Sequence, residues 1–226
     1  MEEALSMEPQ DFWQAILPAG ELAPSDRFTD AYPVTLPDGR QLLLPIRALP
    51  DGDNGLASLI VNQASFAVQA VLCGMLTEKL RGFSPEIVVG LPTLGLTVAS
   101  AVAAALGHHR YVPLGTSRKF WYDRDLSVPL ASITTPDTRH LYLDPRLRPL
   151  LVGRRVVLID DVLSTGRSIA AAMELMRKLD IKPVAIGALM LQTDRWRDVL
   201  ASPHTPVAGV FSTPLLQRDG DAWRAA

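Results

Sequence analysis

Residues 156–168 constrain the fold more than any other part of the chain: Val156-Val157-Leu158-Ile159 run directly into two adjacent carboxylates, Asp160 and Asp161. Four β-formers without polar alternation suit a strand buried on both faces, the kind that helices cover in a parallel sheet. The carboxylates fall at its C-terminal end, where open α/β sheets place ligands. After Val162-Leu163, the run Ser164-Thr165-Gly166-Arg167-Ser168 opens a helix expected over 167–179, with Ile169, Met173 and Met176 on its inner face.

The surrounding pattern agrees. From residue 56 onward, helical and strand-like runs alternate: a helix over 56–81, a strand at Ile87–Val89, a helix over 96–106 and a strand near Tyr111-Val112. A long irregular polar segment and short strands near Leu141–Leu143 and Arg155–Ile159 follow, then the 167–179 helix and a strand at Pro183–Leu189. This order predicts an α/β fold, a mainly parallel twisted sheet flanked by helices. Residues 1–54 are rich in proline, with a short helix expected at Asp11–Leu17 and a hairpin around Pro37-Asp38-Gly39, between Val34–Leu36 and Gln41–Leu44. They are expected to form a small hood on a core of residues 55–226, the whole being one compact unit. Residues 194–226 are expected to hold a short helix and one or two strands.

The turn after the acidic pair is suited to phosphate. Free N–H groups at a helix start, a glycine that admits close approach and two hydroxyls form a cradle. A helix dipole contributes roughly 0.3–1 kcal/mol, whereas each hydrogen bond to a charged group contributes about 1.5–3 kcal/mol, so the directed donors dominate. Adjacent carboxylates repel each other and require hydroxyl donors or a cation beside them. A ligand with a phosphate, a diol and Mg²⁺ meets all three demands. A receiver domain would carry its acidic pair on the first strand, and a Walker A loop would need Gly-Lys-Ser/Thr. A plain buried strand followed by a helix capped by Ser164 or Thr165 leaves the paired aspartates unexplained.

Residues 156–168 resemble the phosphoribosyl-pyrophosphate (PRPP) signature of type I phosphoribosyltransferases: an apolar strand, an acidic pair and a Thr-Gly phosphate loop. The resemblance implies that Asp160 and Asp161 hold the ribose hydroxyls and that Ser164, Thr165, Gly166, Arg167 and Ser168 hold the 5-phosphate. About seventy residues upstream, Val88-Val89-Gly90-Leu91-Pro92-Thr93-Leu94-Gly95-Leu96 is similar in position to the family's pyrophosphate loop, implying that Pro92, Thr93, Leu94 and Gly95 face the pyrophosphate. Between them, Gly115-Thr116-Ser117-Arg118-Lys119-Phe120-Trp121-Tyr122-Asp123-Arg124 resembles the mobile basic loop of adenine and orotate enzymes. Arg118 and Lys119 are therefore candidate catalytic cations, alongside Asp160 and Asp161, that would neutralise the departing pyrophosphate. The aromatic run Phe120-Trp121-Tyr122 is equally suited to a dimer contact.

Ser164 stands where hypoxanthine–guanine enzymes carry an aspartate that serves the purine as base, and serine is a poor proton acceptor. The order of Arg-Lys loop, short strand and Gly153-Arg154-Arg155-Val156 is closer to adenine phosphoribosyltransferases, although their Lys-Leu-Pro continuation is replaced by Phe-Trp-Tyr. The reaction implied is transfer of phosphoribose from PRPP to a nitrogenous base, purine or purine-like, with Mg²⁺ bound through PRPP near Asp160 and Asp161 rather than by a protein ligand set. The alternative is a regulator that senses PRPP without catalysis; residues 1–54 carry only Arg27, Arg40 and Arg47 as cations, which argues against a nucleic-acid face. The resemblance also implies a homodimer.

Bulk properties set the remaining expectations. At 226 residues and 48% apolar, the chain can bury a real core. A net charge of −2 lacks the basic excess of non-specific nucleic-acid binders. The apolar stretch 56–76 contains Asn62, Gln63, Ser65 and Gln69 and reads as a buried helix, not a membrane span. One cysteine, Cys73, excludes an internal disulfide and reads as a small packed hydrophobe; with the acidic start Met1-Glu2-Glu3, the expected location is cytoplasmic. His108, His109, His140 and His204 lack metal-ligand spacing, and Trp196, Phe211 and Trp223 are either core or base-stacking groups.

Overall fold

A computed structural model of the chain describes residues 8–123, 125–130, 139–200 and 205–226. The acidic start, Arg124 and His204 lie outside the described residues. The N-terminal part is built from strands β1 (Ala31–Thr35), β2 (Gln41–Ala48) and β3 (Asn54–Ala57). The expected hairpin is present, β1 pairing antiparallel with β2 through Val34↔Leu42, and Gly39 takes φ +87° in its turn.

The expected helix at Asp11–Leu17 is replaced by a 3₁₀ turn at Pro9–Asp11. Trp13 takes φ +63°, which ends any helix there, and its indole donates to Ser58 O at 3.0 Å while its ring is buried. The helix expected over 56–81 is shortened to α1 (Phe66–Arg81), capped by Ser65, whose hydroxyl accepts from Val68 N. Leu56 and Ala57 belong to β3, because strand partners distant in sequence satisfy their backbone: Ala57 pairs with Ile46, and Leu56 with Leu215. Cys73 is buried in α1, and burial pushes its thiol up to about 11, consistent with a packed, inert side chain.

Beyond α1 come β4 (Ile87–Gly90), α2 (Gly95–Ala105), β5 (Val112–Pro113) and a small hairpin of β6 (Ser127–Pro129) with β7 (His140–Tyr142). Next are β8 (Val156–Ile159), β9 (Val162–Leu163), α3 (Arg167–Lys178), β10 (Ala185–Gln192) and α4 (Arg195–Val199). The chain ends in β11 (Val207–Thr213), β12 (Leu215–Asp219) and β13 (Ala222–Ala225), three strands where the sequence suggested one or two.

The fold is α/β. The central sheet runs β11-β10-β8-β4-β5, with β9 beside β10, and every pairing in it is parallel. Alternate residues of β4 and β8 serve opposite faces. Val88, Val157 and Ile159 join α1 and α2 in one apolar cluster, and Val89, Val156 and Leu158 join α3 in another. On α3, Ile169, Ala172, Leu175 and Met176 are buried, whereas Met173, expected inside, is half-exposed. The second sheet, β1-β2-β3-β12-β13, is antiparallel throughout and draws strands from both ends of the chain. Among the described residues no helix is long and apolar enough to cross a membrane.

Candidate functional site

Parallel pairing of β4 with β8, in register Gly90↔Ile159, starts the loops after both strands side by side at the C-terminal edge of the sheet. Leu91 N donates to Ile159 O at 2.9 Å, carrying that ladder into the loop. The chain then turns through Pro92, Thr93 and Leu94, with a cis Pro92–Thr93 peptide, into α2. Gly95, its first residue, is laid against the acidic pair: a Cβ there would stand 2.8 Å from Asp160 Oδ1 and 2.9 Å from Asp160 Cα. The two segments read as separate motifs thus meet at one glycine. Thr93 is exposed, and Pro92 and Leu94 are half-buried.

Asp160 and Asp161 occupy a break between β8 and β9, with the register to β10 preserved across it, Ile159↔Gly187 before and Val162↔Met190 after. Asp160 N donates to Gly187 O, and Asp161 O accepts from both Leu189 N and Met190 N, so the backbone is held while the side chains remain for other use. Asp160 is 7% exposed, and its Oδ1 accepts from Asp161 N at 3.0 Å; Asp161 is half-buried. Desolvation, followed by the neighbouring Asp161 charge, raises the Asp160 carboxyl well above the usual range, and desolvation also raises Asp161. A pair this reluctant to ionise is suited to a ligand that offers hydroxyl donors, and a ribose diol does so.

The turn to α3 lies beside the pair. Gly166 takes φ +76°, and a Cβ there would meet Trp196 Cα and Val199 Cβ at 3.2 Å, so α4 supports the turn from behind. No side chain caps α3, contrary to a capping role for Ser164 or Thr165, and its first amides have no intrahelical acceptors. Ser164 is half-exposed, while Thr165, Arg167 and Ser168 are exposed. The edge therefore offers free N–H and O–H donors to an anion.

Arg118 and Lys119 follow β5, which pairs with β4 and so ends at the same edge. Both are exposed, and their side chains make no hydrogen bond or ion pair among the described residues, while Lys119 O accepts from Tyr122 N at 3.0 Å. The structure does not bring them into contact with the aspartates. The next residues are anchored: Trp121 Nε1 donates to Asp144 Oδ2 at 3.3 Å, and the Arg146 guanidinium lies 4.9 Å from the Trp121 ring centroid. Arg146 is also ion-paired with Asp144, and its hydrogen bonds, with help from Trp121, hold that carboxyl down at about 2. Phe120, at 95% exposure, projects outward. The anchor at Asp144 and Arg146 and the support from α4 carried no local signal in the sequence, since each depends on a partner more than twenty residues away.

Among the described residues no group of three or more His, Cys, Asp or Glu could hold a metal ion. Trp196, Phe211 and Trp223 are buried in the core. A cavity of about 700 Å³ lies behind α3, lined by Met173, Ile181, Ile186 and Leu200 among others, and neither aspartate nor any of residues 164–168 borders it.

The phosphoribosyl transferase domain family matches residues 62–208, a span that contains both loops and the acidic pair. The chain is 32% identical over 158 residues to an adenine phosphoribosyltransferase of Acidothermus cellulolyticus, covering 67% of this chain and 84% of that one. It is 26% identical over 113 residues to a hypoxanthine/guanine phosphoribosyltransferase of Methanobacterium lacus, covering 50% of this chain and 55% of that one. The crystal structure of an adenine phosphoribosyltransferase from Thermoanaerobacter pseudethanolicus has a similar fold, with a TM-score of 0.56 at 23% identity, covering 65% of this chain and 81% of that chain.

Proposed function

Because the chain belongs to the phosphoribosyl transferase domain family, and is a type I phosphoribosyltransferase similar to adenine and purine enzymes, we propose that it moves the 5-phosphoribosyl group of PRPP to a purine or purine-like base and releases pyrophosphate. The observation that carries this reading is the seating of Gly95 on Asp160, which joins a loop suited to pyrophosphate to a carboxylate pair suited to a diol. On this reading the Asp160 and Asp161 carboxylates accept from the ribose 2- and 3-hydroxyls. The amides and hydroxyls of residues 164–168 donate to the 5-phosphate, and residues 92–95 face the pyrophosphate. The antiparallel sheet forms the hood over the acceptor.

With no group of three or more metal-ligating residues among the described residues, and Asp160 and Asp161 both disfavoured as free anions, the residues fit a Mg²⁺ held mainly by PRPP and water, with Asp161 the more accessible neighbour. Bound there, the ion would supply positive charge to the leaving pyrophosphate. The homodimer belongs to this proposal too.

The Arg118 and Lys119 side chains, exposed and without a partner among the described residues, would close over the pyrophosphate as the C1–O bond breaks. Arg118→Ala and Lys119→Ala are expected to lower kcat by roughly 10²-fold, the lower end of what one transition-state donor contributes. PRPP affinity should change little, which pre-steady-state kinetics set against equilibrium titration would show. The reading as a whole is tested by offering adenine, guanine, hypoxanthine, xanthine, orotate and uracil with PRPP and Mg²⁺ and measuring pyrophosphate release. Turnover of a purine supports it; tight PRPP binding with no turnover of any base would leave the non-catalytic sensor.

A further inference from the structure

The hood sheet is tied to the parallel sheet at one polar point. Gln192, the last residue of β10, is registered opposite Thr213, the last residue of β11, so their side chains stand side by side at the C-terminal edge. Both are buried, at 7% and 3% exposure. Gln192 Nε2 donates at 2.7 Å to the carbonyl of Ala57, which closes β3 in the other sheet. The Thr213 hydroxyl beside it has no hydrogen-bond partner among the described residues, so it contributes nothing to this tie. Among the described residues no other side-chain hydrogen bond joins a strand of one sheet to a strand of the other. The next carbonyl, Ser58 O, accepts from the Trp13 indole at 3.0 Å. The exit from β3 is thus gripped at consecutive residues, once by the N-terminal segment and once by the sheet edge.

A glutamine buried to this degree must be hydrogen-bonded to be tolerated, and an apolar side chain of similar volume would fill the place without that need. We propose that Gln192 is a positioning residue: through Ala57 it sets the spacing between the hood and the edge bearing Asp160, and thereby the width of the gap that admits the acceptor base. PRPP is held from residues 92–95 and 160–168, and the Gln192 side-chain amide donates to Ala57 O rather than to any of them, so its binding should be independent of this tie. The inference rests on the proposed function in one respect, that the acceptor lies beneath the hood.

The test uses Gln192→Met, which keeps the volume and removes the amide, with Gln192→Ala beside it. Hydrogen exchange on the unliganded full chain should show the amides of residues 54–57 exchanging about tenfold faster, while those of 156–163 and α3 keep their rates. With PRPP and each base of the panel, the acceptor KM should rise about tenfold while kcat and PRPP affinity stay within about twofold. Unchanged exchange at 54–57, or PRPP affinity falling in step with the acceptor KM, would overturn the proposal. Failure of the base-transfer reading shows separately, as absence of pyrophosphate release by the unmodified protein, whereas the exchange measurement needs no substrate.

Discussion

Asp161→Asn and Asp160→Asn should each weaken PRPP binding by roughly 10- to 150-fold, the loss expected when one hydrogen bond to a charged acceptor becomes neutral. The two variants should part company in stability. Asp160 is almost wholly buried beside a like charge, so its folded pKa stands above the unfolded value of about 4. The folded state therefore holds the proton more tightly, and stability is lost as pH rises from the unfolded pKa through the folded one. Replacing the carboxylate with an isosteric amide, which can still accept from Asp161 N, removes that cost. Asp160→Asn is expected to melt several degrees above the unmodified protein near pH 7.5, the gap closing as pH falls towards 4. Calorimetry across that range, beside calorimetric PRPP titration, checks both halves. A variant that melts lower at pH 7.5 would show that the buried carboxylate is not under strain.

Gly95→Ala is the second large effect. The added Cβ would meet Asp160 Oδ1 at 2.8 Å, Asp160 Cα at 2.9 Å and Ile159 O at 3.1 Å, and two of these are backbone atoms that cannot swing aside. Either α2 or the end of β8 must shift, so thermal stability should fall by about 1–3 kcal/mol, the usual cost of overpacking a close contact. PRPP binding should be lost almost entirely, because the displaced backbone carries both proposed half-sites. Gly74→Ala is the matching control. That glycine lies inside α1 with nothing within 4 Å of the added methyl, and the change should stabilise by about 0.5–1 kcal/mol with binding intact. Thermal melts and PRPP titration of the pair separate a local steric block from a general intolerance of alanine.

Local sequence was legible where local physics is decisive. Val156–Ile159 reads as a buried strand because nothing in it can face water, and the turn at 164–168 reads as an anion cradle because its residues are donors at a helix start. The backbone follows in both places: β8 is buried on both faces, and the turn opens α3. Leu56 and Ala57 read as the start of a helix over 56–81 but close β3, since short apolar runs carry no period that separates strand from helix. Only pairing with β2 and with β12, from opposite ends of the chain, settles the matter. Trp13 misleads similarly, its positive φ being set by burial of the ring and by the indole bond to Ser58.

The order of short apolar runs and helices determined the α/β class, and the residue types at 160–168 determined the chemistry the edge could host. Folding decided what touches what. It placed Gly95 against Asp160, α4 behind Gly166, Trp121 on Asp144 and Gln192 on Ala57. Each of these contacts joins segments more than twenty residues apart, and the closeness of such segments is set by the packing of the sheets and helices between them, which no short stretch of chain encodes.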